Sequence, residues 1–153
     1  MTVALVLFIA LTLNSCVRDD VSLKTVEDKV LSQIEQKTNM TKSGAMKLRS
    51  LYGLTENEYE EVILYTPASN MDAQELLLVR CKSEAQTSGV KAAMEERIAY
   101  LTSIFESYGV EQMALIRSAV IDIQGKYVLY VCSTDSKTAD NAFRKAVREK
   151  EDR

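Results

Sequence analysis

Between Ser83 and Gly109 the apolar residues Val90, Met94, Ile98, Leu101, Phe105 and Tyr108 recur at steps of four and three. That spacing places them on one face of an α-helix. Ser83 with Gln86 reads as a capping box and Gly109 as a C-terminal stop, which predicts one long helix over about 83–108. An apolar stripe has to be covered, and the chain supplies a pair of strand patterns on each side of this segment. The expected arrangement is a small sheet lying against one long helix.

The first strand pair begins with Val62-Ile63-Leu64-Tyr65, a β-branched and aromatic run within Glu61 to Thr66 that Pro67 stops. Glu75 to Lys82 follows as the second strand. There Leu77, Val79 and Cys81 alternate with Leu78, Arg80 and Lys82, and the first set is expected to face the helix. Beyond the long helix, Glu111 to Arg117 reads as one or two helical turns. Ala119 to Ile123 and Lys126 to Ser133 then make the clearest hairpin, with Gln124-Gly125 as its turn. A last helix runs from Asp135 or Ser136 to about Glu149 and buries Ala139, Phe143, Ala146 and Val147. Upstream, Val26, Val30 and Ile34 mark a helix over Thr25 to Lys37, Asn39 to Lys42 breaks the pattern, and a second helix spans about Ser43 to Tyr52 before Gly53.

From Glu61 onward the order strand, strand, helix occurs twice, which allows an architectural ββα-ββα repeat with Leu78 set on Leu129 and Cys81 on Cys132. The fold class expected is α+β. It is a two-layer arrangement with a roughly four-stranded antiparallel sheet, the long helix and the C-terminal helix packed on it, and the N-terminal helices beside it. One face of the sheet is expected to be open, partly covered by Tyr65, Tyr127 and Tyr130.

Val3 to Leu13 is apolar apart from Thr12, a run of 11 residues. A membrane-spanning helix needs about 20, so this length suits the core of a secretory signal peptide. Leu13-Asn14-Ser15-Cys16 follows, then Arg18, Asp19 and Asp20. The order resembles the bacterial lipobox: an aliphatic residue, a free position, a small residue at the cut, and a thiol nucleophile that takes up diacylglycerol. Two features depart from the usual pattern, the Asn at position 14 and the lack of Lys or Arg before the apolar run. The reading divides the chain into residues 1–15 as signal peptide, 16–23 as tether and 24–150 as a single domain, with Cys16 as the site of lipid attachment.

Gly53-Leu54, the segment Tyr65 to Val79, Tyr108-Gly109-Val110-Glu111-Gln112 and Gly125-Lys126-Tyr127-Val128 carry a further resemblance. Over roughly Lys47 to Val147 the chain resembles the lipoprotein family of Gram-positive Firmicutes called domain of unknown function 4358. The resemblance implies a lipid-anchored, extracytoplasmic α+β domain. It implies no activity.

Composition bounds the chemistry. At 153 residues the chain makes one domain plus a targeting segment, and its net charge of −3 offers no electrostatic footprint for nucleic acid. The absence of His removes His-dependent triads, His metal sites and the commonest general base at neutral pH. No Gly-rich phosphate loop, paired-Cys motif, zinc-binding motif or nucleophile elbow occurs, so no catalytic residue, metal or cofactor is nominated. The cluster Glu56, Glu58, Glu60 and Glu61 lacks the alternating oxygen ligands and Gly of a calcium loop and reads as a solvated face.

Two features remain as candidates. Ser69, Asn70 and Asp72 lie in a polar loop between two strands, where ligand contacts are often placed. The same residue types also fix turns by bonding their own backbone. Cys81 and Cys132 sit on strands and leave an even number of thiols once Cys16 carries lipid. They could form a disulfide if their α-carbons come within about 7 Å. The alternative is two buried free thiols acting as small hydrophobes.

The expected function is a lipid-anchored binding or protein-interaction module at the outer face of a bacterial cytoplasmic membrane. It would touch the membrane through its lipid and contact an envelope protein or a small solute. The rivals are an envelope enzyme running on carboxylates without His and a structural subunit of an envelope assembly.

Overall fold

Two strands decide the architecture. β3 (Glu75–Arg80) is buried at every position but the last, and β5 (Tyr127–Cys132) is buried throughout. They pair antiparallel, Glu75 opposite Cys132 and Arg80 opposite Tyr127. A strand buried along its whole length needs cover on both faces, because alternate side chains point opposite ways. The computed structural model describes residues 16–149 and supplies that cover.

Around this pair the sheet adds β2 (Glu61–Pro67), β4 (Val120–Gln124) and β1 (Met40–Ser43), in the order β1-β2-β3-β5-β4 with every pairing antiparallel. Among the described residues there are five α-helices: α1 (Leu23–Leu31), α2 (Ala45–Tyr52), α3 (Thr87–Phe105), α4 (Val110–Ser118) and α5 (Ser136–Arg148). On one face Leu64, Leu77, Val79, Val128 and Tyr130 pack against Val90, Met94, Leu101 and Phe105 of α3, with Leu48 and Tyr52 of α2 and Met113 and Ile116 of α4. On the other face Ile63, Leu76, Leu78, Leu129 and Val131 pack against Val26 and Val30 of α1 and Ala139, Phe143 and Val147 of α5.

The α+β class and the antiparallel sheet with its long helix are as the sequence implies. Leu77, Val79 and Cys81 face α3, and Ala139, Phe143, Ala146 and Val147 are all buried. Three points differ. The sheet has five strands rather than four, because the segment that breaks the helical pattern, Met40–Ser43, forms an edge strand. Only Met40 in it is buried and its other residues are polar, so it carries no apolar run to signal a strand. The face expected to be open is closed by α1 and α5, since Leu76, Leu78, Leu129 and Val131 would otherwise each forgo about 1.5–3 kcal/mol of burial. The hairpin turn is Gly125-Lys126, one residue later than expected, because Gln124 already pairs with Tyr127. Gly125 holds φ at 56°, which glycine adopts at little cost.

Helix ends differ in the same local way. Ser83 makes no side-chain cap, and a short 3₁₀ turn over Glu84–Gln86 precedes α3. Gln86 instead accepts from the Lys82 amide at 2.9 Å and donates to the Glu58 carbonyl at 3.0 Å. Thr55 likewise starts a 3₁₀ turn without a side-chain cap. α1 is capped by Ser22, whose Oγ accepts from the Thr25 amide at 3.2 Å. α3 stops at Phe105, and Tyr108 is 57% exposed although its ring rests on Phe105 at 5.8 Å.

Phe143 and Phe105 anchor the two opposite faces. Each Phe→Ala substitution is expected to cost about 3–5 kcal/mol in urea denaturation. A cost below about 1 kcal/mol for Phe143→Ala would mean that α5 does not close the second face.

Candidate functional site

Glu75 opens β3 on the same face as Leu77 and Val79 and is fully buried. Arg97 sits on α3 three residues after Met94 and four before Leu101, inside the apolar stripe, and is 8% exposed. The two meet between sheet and helix. Arg97 donates through Nη2 to Glu75 Oε1 at 2.5 Å and through Nε to Oε2 at 3.1 Å. Tyr52 of α2 donates its hydroxyl to Oε2 at 2.8 Å, so the carboxylate has three donors. Tyr130 of β5 packs edge-on against Tyr52 with ring centroids 6.3 Å apart. Burial, with the Glu75 charge behind it, pushes the Tyr52 hydroxyl well above the usual phenol range. Burial does the same to the Tyr130 hydroxyl, so both tyrosines stay neutral and keep their protons.

A cleft of about 340 Å³ opens over this pair. Its walls are Lys47 and Leu51 of α2, Tyr100 and Ile104 of α3, and Asn70 and Asp72 of the β2–β3 loop, with Glu75 and Arg97 at its floor. A neighbouring cleft of about 450 Å³ shares Leu51, Arg97 and Tyr100 and continues past Ser50, Gly53, Ala93 and Glu96. Together they make one groove between α2 and α3. Tyr100 is 58% exposed, and the Arg97 guanidinium lies 5.4 Å from its ring centroid. The groove thus offers an aromatic platform held by a buried cation. Lys47 and Asp72 put one charge of each sign at its loop end, and Asn70 adds an amide.

The loop residues nominated from the sequence divide between two roles. Ser69 Oγ accepts from the Met71 amide at 3.2 Å, and Asp72 Oδ1 accepts from the Gln74 amide at 3.0 Å. Both bonds are turn chemistry. Asn70 and Asp72 also line the cleft, and Asp72 borders a third opening of about 450 Å³ beside Gln112 and Thr134. Glu75, Arg97, Lys47 and Tyr100 were not nominated. Glu75 and Arg97 carry a signal in the sequence, a charge in an apolar register, with Glu75 at the inward position of β3 and Arg97 in the stripe of α3; the exposed Lys47 and Tyr100 carry none. Two such charges on facing elements imply a buried pair.

Of the two readings of the cysteines, the structure carries the free thiols. Cys81 and Cys132 are free and buried. Cys132 lies opposite Glu75, whereas Cys81 follows Arg80 and donates its amide to the Lys126 carbonyl at the other end of the sheet. At about 3.3 Å per residue the two stand roughly 20 Å apart, far outside disulfide reach. Burial pushes the Cys81 thiol up to about 11 and the Cys132 thiol up to about 12, so both are protonated and unreactive.

The signal peptide predicted for residues 1–15 lies outside the described residues. Cys16 is exposed at their start. Residues 17–23, expected as a tether, lie along the domain. The Arg18 amide donates to the Val147 carbonyl at 2.8 Å. The Tyr127 hydroxyl donates to the Val21 carbonyl at 2.7 Å, and the Leu23 amide donates to Glu61 at 3.0 Å. Of the acidic cluster, Glu56, Glu58 and Glu60 are exposed, and Glu61 pairs with Arg80 at 3.0 Å.

A second carboxylate pair lies elsewhere. Asp122 of β4 and Asp140 of α5 face each other, with Arg144 Nε 2.9 Å from the first and 3.3 Å from the second. Gln124 Nε2 also donates to Asp122, at 2.9 Å. Burial and the facing Asp122 carboxylate push Asp140 up to about 6. Arg144 and Gln124 cap the pair, so it fastens α5 to the edge strand. Among the described residues no group of three or more His, Cys, Asp or Glu is placed to hold a metal ion, and no helix is long and apolar enough to cross a membrane.

The family model described as "Domain of unknown function (DUF4358)" matches residues 32–133, which takes in the groove and the whole sheet. No match was found among curated proteins or among solved structures.

Arg97→Ala leaves the Glu75 charge buried beside Tyr52 alone and is expected to cost about 3–5 kcal/mol in chemical denaturation. Glu75→Leu combined with Arg97→Met should return the stability to within about 1 kcal/mol of the parent. A double variant as unstable as the single one would refute the pairing.

Asp140 has a folded-state pKa raised from 3.8 to about 6. The folded chain therefore holds this proton more tightly than the unfolded chain does. Its contribution to stability is complete below about 4 and is lost as pH rises through about 6. Asp140→Asn should flatten the decline in melting temperature between those values. An unchanged pH profile in the variant would place the titration elsewhere.

Proposed function

The chain belongs to the DUF4358 family, and we propose that it is a lipid-anchored binding module of the bacterial cell envelope. It is held at the outer face of the cytoplasmic membrane through Cys16 and takes a small polar solute in the groove between α2 and α3. One observation carries the reading. The β2–β3 loop brings Asn70 and Asp72 over a floor made by the buried Glu75–Arg97 pair, with Lys47 and Tyr100 as the opposing walls.

The arrangement suits binding by preorganisation. Arg97 is held by two bonds to a buried carboxylate that Tyr52 also holds, so ordering it for a ligand costs little. The volume of about 340 Å³ falls within the range of small-molecule sites. A protein-docking role through a bare sheet face is less well supported, because helices cover both faces. The anchor reading rests on the lipobox-like Leu13-Asn14-Ser15-Cys16 and on the exposure of Cys16 at the edge of the domain.

The test is the melting temperature of the chain from Val17 onward against a panel of envelope solutes, amino acids, short peptides and glycans. A ligand at a hundred times its dissociation constant should stabilise the fold by about 2.7 kcal/mol. Asn70→Ala and Tyr100→Ala, both at exposed positions, should leave the unliganded stability within about 1 kcal/mol, the Tyr100 change including its contact with Arg97, and abolish the shift. A shift that survives both substitutions would move the site away from this groove. A flat panel with a well-folded protein would count against the solute-binding reading.

A further inference from the structure

Cys16 lies two residues from Arg18, the first residue whose backbone bonds to the domain. Val17 packs on Gly125, where a Cβ would stand 3.0 Å from its Cγ1. Arg80 Nη2 donates to the Asp19 carbonyl at 2.7 Å, and the Val21 carbonyl is held by Tyr127. Every one of these contacts is at one end of the sheet, where β3 ends, β5 begins and α5 terminates. The segment therefore has no free length to act as a swivel.

We infer that the bilayer lies against this end of the domain, formed by the Gly125-Lys126 turn and the C-terminus of α5, with the β2–β3 loop end of the groove turned away from it. The inference rests on the lipid-anchor reading above. A lipid on Cys16 enters the bilayer within two residues of a fixed backbone, so the base has to sit at the headgroups. The β2–β3 loop occupies the opposite end of the same strands. β2, at seven residues and about 3.3 Å each, sets the Asn70 loop about 20 Å further out. On the base Arg18 pairs with Asp20, Arg80 with Glu61 and Lys126 with Asp19. Charge on this face is mixed, so the short strap, and not electrostatic attraction, sets the orientation. The consequence is a groove that opens to the envelope space, where it meets soluble or wall-bound ligands instead of lipid.

The experiment uses the full chain produced in a Gram-positive bacterium and reconstituted into phosphatidylglycerol-containing vesicles with a headgroup-attached quencher. Single reporters are placed by Glu149→Cys and Asn70→Cys, both exposed positions, and labelled with a fluorophore; Cys81 and Cys132 are buried, and the lipid of the anchor reading would block Cys16. Mass spectrometry of the N-terminal peptide reads lipidation separately. The expected result is a lipid on Cys16 with quenching severalfold stronger at position 149 than at 70. Inserting about ten Gly and Ser residues between Cys16 and Val17 should erase that contrast, since such a linker spans about 17 Å as a flexible coil. A lipidated chain with equal quenching at both positions, or with the contrast intact after the insertion, overturns the orientation and leaves the anchor standing. A chain without lipid on Cys16 overturns the anchor reading and this inference with it.

Discussion

The structure depends on two neighbouring strands that are apolar on both sides. Leu76, Leu77, Leu78 and Val79 in β3, with Val128, Leu129, Tyr130 and Val131 in β5, leave neither face of the sheet able to meet water. Each face then needs its own helical cover. α3 with α2 and α4 satisfies one face, and α1 with α5 the other. The edges can be polar and short because the centre supplies most of the burial. β1 is four residues with one buried side chain, and β4 is only partly buried along most of its length.

One place in that core departs from apolar packing. Glu75 and Arg97 bring a full charge from each side into the sheet–helix interface, and Tyr52 closes the set from α2. Such a pair contributes little net stability compared with well-packed apolar residues of similar volume. It does fix geometry. α2 and α3 are locked to the end of β3 by directional bonds, and the space left above them becomes the groove. The position of the cleft is therefore a consequence of where the charges were placed in the strand and helix registers.

The two ends of the sheet have separate tasks as a result. One end gathers the start of the described chain, the Gly125-Lys126 turn and the end of α5, bound by Arg80, Tyr127 and Val147. The other gathers the β2–β3 loop, the C-terminus of α3 and the N-terminus of α4. Antiparallel pairing fixes their separation, because strands of set length cannot bring their opposite ends together.

Periodicity made the helices legible: Val26 and Val30 of α1, Val90, Met94, Leu101 and Phe105 of α3 and the buried face of α5 are local patterns at fixed spacing and lie in the core, whereas α1 stops at Leu31, short of the Lys37 expected, and Ile34 is buried beyond its end. Cap identity was less legible, since Ser83 has the right neighbours yet the chain enters a 3₁₀ turn there, while Ser22 caps a helix without a box. The strand β1 was not legible at all, because an edge strand of polar residues owes its form to the partner beside it. The sequence alone determined the α+β class, the strand pairs, the long helix and the family, since each follows from neighbours within a few residues or from segment order. Only the tertiary structure decided that the second face is closed, that Cys81 and Cys132 stand at opposite ends, and that Glu75 meets Arg97 beneath Asn70 and Asp72. Those outcomes depend on which strand lies beside which, and register between distant segments is set by packing that no local pattern contains.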